Sequence, residues 1–404
     1  MTDLATATGD HGPLTVESQR LRDLITRIGK DALERERAYQ APYAEFELIK
    51  AAKLGALRIP REQGGGGASI TELYATVIDL AEADPNIPHS LRNHFQITES
   101  MRRRPHPSHE RYWDLVRDGQ LFGLSVTELT SKQAGGRQRH LETAVTETPD
   151  GLRLNGVKFY STGNLYVDQL LVVARGDEKP LRLIVPVDRP GVVREDDWDG
   201  IGQCFTGSGT TRFVNVPVTP EDFIENALAY EQIPYLSTFA QLFLTAIIAG
   251  ILRSVTTDAA AYLRARTRSF YHAASEVPAE DAIFQERVGE ISATAYAGEA
   301  MVMTAAAALQ DAIEAHGRPE EEKLALRASL RAAKAKVVLD ALALDAATKI
   351  FDLGGGSAAR RSSQLDRHWR NIRTLASHNP RALKAKVIGD YEISGNKPPN
   401  GSFF

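Results

Sequence analysis

Residues 143–156, TAVTETPDGLRLNG, separate two helical regions of this chain. Side chains alternate in character from Thr143 to Leu154, and Asp150-Gly151 and Asn155-Gly156 are turn dipeptides. A period of two turns one face of a strand inward. Leu170–Ala174, Leu181–Val187 and Thr211–Val216 are further short β-type runs, punctuated by Pro186, Pro190 and Pro217. The β texture begins near Gly119 and ends near Asp222.

Outward from it the period changes. Upstream, Leu21, Leu24, Ile25 and Ile28 recur at helical spacing, with Thr15 and Glu17-Ser18 near the start. A second helix carries Phe46, Ile49 and Leu54, and Gly55 is its stop. The run Ile59-Pro60-Arg61-Glu62-Gln63 leads into Gly64 to Gly67, and a helical pattern resumes from Ile70 to Ala83. Downstream, everything from Leu228 reads helical. Leu242–Leu252 is a fully buried helix, and Val337, Ala341, Leu344, Thr348 and Phe351 mark one face of a late helix. Ala305–Ala308 suits close helix packing. The order of helices, strands, helices is not that of a doubly wound sheet. It predicts an α+β fold with a helical domain at 1–120, an antiparallel β domain at 121–225 and a helical domain at 226–404.

Composition narrows the function classes. The chain has 404 residues, 43% hydrophobic and 25% charged, which excludes wholesale disorder. A net charge of −4 gives no basic excess for nucleic acid. One cysteine, Cys204, excludes an intrachain disulfide and a thiolate zinc site, and it reads as a small buried hydrophobe. Met1–Thr15 is polar, with no basic segment leading into an apolar one, so no signal peptide is expected. Leu242–Leu252 is about half the ~20 residues of a membrane span. No membrane contact is expected, and the cytoplasm is the expected compartment.

Several motifs can be set aside. No GxGxxG joins a strand to a helix, and no P-loop or HExxH occurs. Gly64–Gly67 reads as a flexible inter-helix loop. His106 and His109, in the basic segment Arg102–Arg111, read as part of a solvated loop; no metal site is expected.

Four segments are dense in hydroxyls, glycine and histidine. They are Phe122–Glu128; Lys158–Gly163; Trp198–Gly202 running on to Thr206–Thr210; and Leu353–Gly356 together with His378-Asn379-Pro380. Hydroxyls and exposed amides suit a ligand rich in acceptors, such as a flavin with its phosphate. The same residues also make tight turns between strands.

Their order resembles the acyl-CoA dehydrogenase superfamily, whose helical, β and helical domains follow in this sequence. Pro60-Arg61-Glu62 and its glycines resemble the family's "PEEYGG" turn. Val126-Thr127-Glu128 resembles its "TEP" flavin loop, with Leu129 in place of proline, and Tyr160-Ser161-Thr162-Gly163 resembles "WITN". Leu353–Gly356 resembles the late "GG" loop. Lys158–Asp168 (KFYSTGNLYVD) and Asp366–Pro380 (DRHWRNIRTLASHNP) are similar to the flavin-dependent monooxygenase branch. Leu365–Arg373 parallels "LxRxxRDAR". Many dehydrogenases follow it with a glutamate base; Ser377-His378-Asn379-Pro380 has no carboxylate, and neither does Leu242–Leu252.

The resemblance implies a two-component flavin-dependent monooxygenase. Reduced FMN would come from a separate NAD(P)H-dependent flavin reductase and react with O2 to a C4a-hydroperoxyflavin. A small apolar substrate, organosulfur or nitrogen-containing, would take the oxygen. FAD is the alternative flavin, and an FAD-dependent acyl-CoA dehydrogenase or oxidase the alternative activity. The resemblance places Thr162 at flavin N5 with Ser161 beside it, Ser125 and Thr127 at the pyrimidine side, Trp198 on the ring and Ser208 at the phosphate. Arg266 and Arg268 would clamp the phosphate across a subunit boundary, with Gly355 in the late glycine loop, in a homotetramer. His94 and His378 are the candidates for handling protons, because a histidine titrates near neutrality. His368 and Trp369 read as structural.

Overall fold

The structure, a computed structural model, describes residues 12–130, 141–229 and 231–404. The polar stretch up to His11, read above as carrying no signal peptide, lies outside the described residues. Six helices come first: α1 (Gln19–Lys30), α2 (Ala32–Ala38), α3 (Tyr43–Ala51), α4 (Ile70–Ala83), α5 (Asn86–Arg103) and α6 (Glu110–Arg117). Seven strands follow: β1 (Phe122–Ser125), β2 (Ala144–Thr148), β3 (Gly151–Lys158), β4 (Gln169–Ala174), β5 (Leu181–Pro186), β6 (Val192–Arg194) and β7 (Thr211–Val218). Five helices complete the chain: α7 (Tyr235–Ala265), α8 (Ala282–Glu314), α9 (Glu321–Lys349), α10 (Asp366–Ala376) and α11 (Arg381–Ser394).

Local chemistry explains the upstream helices. Ser18 caps α1 by accepting from the Leu21 amide, and Leu21, Leu24 and Ile28 are buried. Ser69 and Glu72 form a reciprocal capping box on α4. The second helix ends at Ala51, so Leu54 and Gly55 fall in a separate 3₁₀ turn. The glycine run is not a flexible loop. The amides of Gly65, Gly66 and Gly67 donate to the carbonyls of Pro60, Ala56 and Ile59. A Cβ on Gly66 would lie 2.3 Å from the Leu14 carbonyl oxygen, so only glycine fits that approach. The basic segment also departs from expectation. Arg102 and Arg103 end α5, and His109 is buried with Nε2 2.6 Å from the Glu225 carbonyl oxygen.

The strands make two sheets rather than one antiparallel unit. One has the order β2-β3-β7-β6 and is antiparallel throughout. The other has the order β1-β4-β5, in which β1 runs parallel to β4. Parallel neighbours need a long crossover; here β2 and β3 fill it. The result brings the loop after β1 beside the loop that follows β3.

Helix α7 is the centre of the downstream bundle and packs against α4, α5, α8 and α9. Its 31 residues are long and apolar enough to cross a membrane, but 94% of the most apolar window is buried inside the protein. On α9 the buried face is Ala325, Ala328, Ala332, Ala335, Leu339, Ala343 and Ala346. The predicted face lies beside this one: Thr348 is exposed, and Val337, Ala341 and Leu344 are half-buried. Alanines let the helices approach closely, and Gly298 on α8 sits against Leu339.

Candidate active site

Three loops converge at the open ends of the sheets. The Thr162 hydroxyl lies 2.9 Å from the Ser208 hydroxyl, which lies 2.7 Å from that of Thr206. All three are buried. Ser161 is buried too, and its Oγ has no hydrogen-bond partner among the described residues. Gly163 has φ +89°, and a Cβ there would lie 2.3 Å from the Ser90 carbonyl oxygen. Ser125 ends β1 and accepts a 2.8 Å hydrogen bond from Asn164 Nδ2. Thr127 is half-buried; its carbonyl accepts from the Phe159 amide, which joins the first loop to the second.

That junction rests on a buried ion pair which sequence reading missed. Lys158 Nζ lies 2.6 Å from Glu128 Oε1, and both side chains are almost fully buried. Glu128 also accepts from the amides of Glu142 and Thr143. Its carboxyl is held below the usual range by these donors, against the opposing effect of burial. A polar pair split between two elements 30 residues apart leaves no local pattern to find.

Helix α5 supports the loops from below. His89 Nδ1 is 2.9 Å from Gln203 Oε1, Ser90 Oγ donates to the Thr206 carbonyl, and Asn93 Nδ2 donates to the Thr162 carbonyl at 2.8 Å. His94 lies inside this helix, not after it. The Phe122 amide donates to its Nδ1 at 3.0 Å, and its Nε2 is 3.0 Å from the Gly55 carbonyl oxygen. An accepting Nδ1 fixes the neutral Nε2–H tautomer. Burial pulls its pKa down to about 4. With both nitrogens engaged by backbone, His94 ties α5 to β1 and the 3₁₀ turn. The geometry gives it a structural role in place of the proton-handling one.

His378 follows α10 and is different. Its Nδ1 has only a long 3.5 Å contact with Asn379 Nδ2, and Phe403 packs edge-on against the ring at 5.6 Å. Burial first, then Arg92, His89, Lys336 and Lys384, push its pKa well below the ordinary value. It is held as a neutral imidazole. His368 pairs with Asp258 at 2.8 Å and holds α10 to α7, while Trp369 is partly exposed.

Trp198 is half-buried, donates from Nε1 to the Gln203 carbonyl, and meets Tyr160 edge-on at 6.3 Å. Cys204, in the same loop, is half-buried and donates to the Gly200 carbonyl. Arg266, Arg268 and Gly355 form a separate group. Arg266 bonds the Leu353 carbonyl and lies over the rings of Phe270 and Phe284. Gly355 sits against Phe270. Arg268 is exposed. Among the described residues, no hydrogen bond or ring contact joins this group to the Thr162 loops within one chain. A cleft of about 320 Å³ between α1–α2 and α7–α10 contains none of the hydroxyls above; it is walled by the Arg35–Asp84 and Arg367–Asp258 pairs.

The loops fit a flavin: an orphaned buried hydroxyl at Ser161 and a chain of hydroxyls at Thr162, Ser208 and Thr206. One sequence assignment must change. The N5 edge and the phosphate of a flavin mononucleotide lie at opposite ends of the ribityl chain. Thr162 and Ser208 share a hydrogen bond, so they cannot serve both ends.

The comparisons agree with this geometry. Residues 242–380 match the acyl-CoA dehydrogenase C-terminal domain family. A dibenzothiophene monooxygenase of Rhodococcus erythropolis is 28% identical, covering 97% of this chain and 95% of its own. A probable FMNH2-dependent monooxygenase, SfnC of Pseudomonas putida, is 26% identical over 93% of this chain and 94% of its own. The crystal structure of TdsC from Paenibacillus sp. A11-2 with FMN and indole superposes with a TM-score of 0.83 at 28% identity, covering 96% of this chain and all of that one. With helices, β sheets and helices in the family's order and no carboxylate at residues 377–380, the chain is similar over nearly its whole length to flavin-dependent monooxygenases of the acyl-CoA dehydrogenase fold, and its residues 242–380 match that family's C-terminal domain.

Proposed function

We propose that the protein is the oxygenase half of a two-component system. A separate NAD(P)H-dependent reductase supplies reduced FMN, and the protein uses it with O2 to oxygenate a small organosulfur or nitrogen compound. Bound reduced flavin supplies two electrons. One oxygen atom enters the substrate and the other leaves as water, so FMNH2, O2 and substrate give FMN, oxygenated substrate and water. The observation that carries the reading is the buried hydroxyl array around Thr162 beside an orphaned Ser161 hydroxyl.

In this reading Thr162 hydrogen-bonds flavin N5, and Ser161 donates to the same edge. Ser208 orients the Thr162 hydroxyl instead of holding the phosphate. Ser125 and Thr127 face the pyrimidine, and Trp198 borders the ring. Arg266 and Arg268, beside Gly355, reach the phosphate of a neighbouring subunit. His378 exchanges the proton that the oxygen transfer requires. The buried loops exclude water, which disfavours the wasteful passage of the reduced flavin's two electrons to O2 with release of peroxide.

The arrangement asks for a homotetramer. Exposed Tyr271 in the connection between α7 and α8, and Ile283, Tyr296, Leu342 and Ile393 on the downstream helices, support association. Sedimentation velocity should give a tetramer; a monomer that binds FMN tightly would remove the clamp across subunits. The function itself is tested by oxygen uptake with reduced FMN and a panel of sulfur and nitrogen substrates. Product carrying one atom of ¹⁸O from ¹⁸O₂ is expected. Peroxide as the sole oxygen product across the panel would overturn the reading.

A further inference from the structure

The wall of the site next to His378 is cationic, and one of its cations has no counter-ion. Arg92 projects from α5, one residue before the Asn93 that holds the Thr162 carbonyl. Its Nε is buried with no hydrogen-bond partner, and its only contact from the far end is Nη2 to Asn93 Oδ1 at 3.5 Å. No carboxylate pairs with it among the described residues. Guanidinium groups are seldom buried without an acceptor, because the lost hydration is not replaced.

The neighbourhood does not supply one. His89 is spent on Gln203. Lys384 is buried, bonds the Phe403 carbonyl and lies 4.2 Å from the Phe404 ring centroid. Lys336 is neutralised by Asp340 at 2.6 Å, so that carboxylate is already committed. Arg92, half-buried, and Lys384, buried, remain as two cations facing a neutral histidine.

We propose that Arg92 determines substrate specificity, and that the substrate carries an oxyanion — a sulfinate, sulfonate or carboxylate — bound by its guanidinium fork. This role of Arg92 rests on the proposed monooxygenase function and names the substrate class of the same site. A planar fork matches two oxygens of such a group, and a bidentate pair in a dry site gives both affinity and orientation. Held there, the rest of the substrate lies between His378 and the Thr162 loop. The substrate is then not wholly apolar: it needs one charged end and a short body.

The test compares benzenesulfinate with neutral methyl phenyl sulfide in the full-length protein. Calorimetry with and without FMN measures binding; oxygen uptake and mass spectrometry measure turnover. The wild type is expected to bind and oxygenate the anion in preference. Arg92→Gln should weaken the anion by about 10- to 100-fold, the range for a hydrogen bond to a charged group, and leave the sulfide and FMN affinity unchanged. Arg92→Lys should recover part of the loss and guards against a folding defect in the glutamine variant. Equal use of both probes by the wild type would overturn the inference. So would a loss of FMN affinity in Arg92→Gln with the anion preference kept, which would assign Arg92 to the flavin. Anion binding that depends on Arg92 but yields no oxygenated product would support the inference while removing the monooxygenase reading.

Discussion

At the residue scale the site turns on Thr162. The residue is 7% exposed and its hydroxyl already shares a hydrogen bond with Ser208. Thr162→Val keeps the volume and removes that one group. Ser208 keeps its bond to Thr206, so the fold should lose only about 1 kcal/mol. Product formed per O2 consumed should fall several-fold, with the balance appearing as peroxide. Unchanged coupling, measured by product and peroxide assays on the same sample, would take Thr162 away from N5. The hydroxyl-rich loops were legible in the sequence because four such segments recur in the order of a known family, although each alone also reads as a tight turn. Arg92 and Asn93 were not, because polar residues on a helix ordinarily face water, and nothing local marks these two as buried against a loop.

At the element scale α5 is the part that sequence reading handled least well. Its polar residues His89, Ser90, Asn93 and His94 meet partners far along the chain, at Gln203, Thr206, Thr162, and Gly55 with Phe122, while Arg92 Nε beside them has none among the described residues. His94→Ala would leave the Phe122 amide and the Gly55 carbonyl buried and unpaired. A loss of about 2–5 kcal/mol is expected from two such groups. The melting temperature should drop, while turnover per folded molecule should survive. His378→Ala should do the reverse, with product formation down about 100-fold or more and stability nearly kept. If His94→Ala folds normally and loses turnover instead, the tautomer argument is wrong. The predicted face of α9 failed for a related reason. Alanine carries little weight in an apolar pattern, yet a line of alanines is what lets α9 lie close to α8.

At the scale of the whole molecule, buried neutral histidines tie stability to pH. Burial lowers His89 to about 3, and His94 and His368 to about 4, against 6.5 in the unfolded chain. Between pH 6.5 and 4 the unfolded chain binds protons that the folded one refuses, so stability rises with pH across that window. Each histidine contributes a slope of up to about 1.4 kcal/mol per pH unit. Urea midpoints should therefore fall clearly from pH 7 to pH 5, before most carboxylates titrate. A flat profile would mean that these rings are solvated or charged in the native state. The order of helices, strands and helices was readable from hydropathy period alone. The parallel pairing of β1 with β4 was not, because pairing depends on which strands meet, and a single strand's pattern is the same for either direction.

Cys204 sits in the loop that carries Trp198, Gln203 and Ser208, and it is the one thiol in the chain. Burial raises its pKa and its thiol donates to the Gly200 carbonyl, so a maleimide labels it more slowly while the loop is closed than when the loop lifts. Labelling rate is then a direct reading of loop opening, at a single position, with no engineered probe. Slower labelling in the presence of FMN would show the loop settling onto its ligand, on a timescale that turnover assays never see.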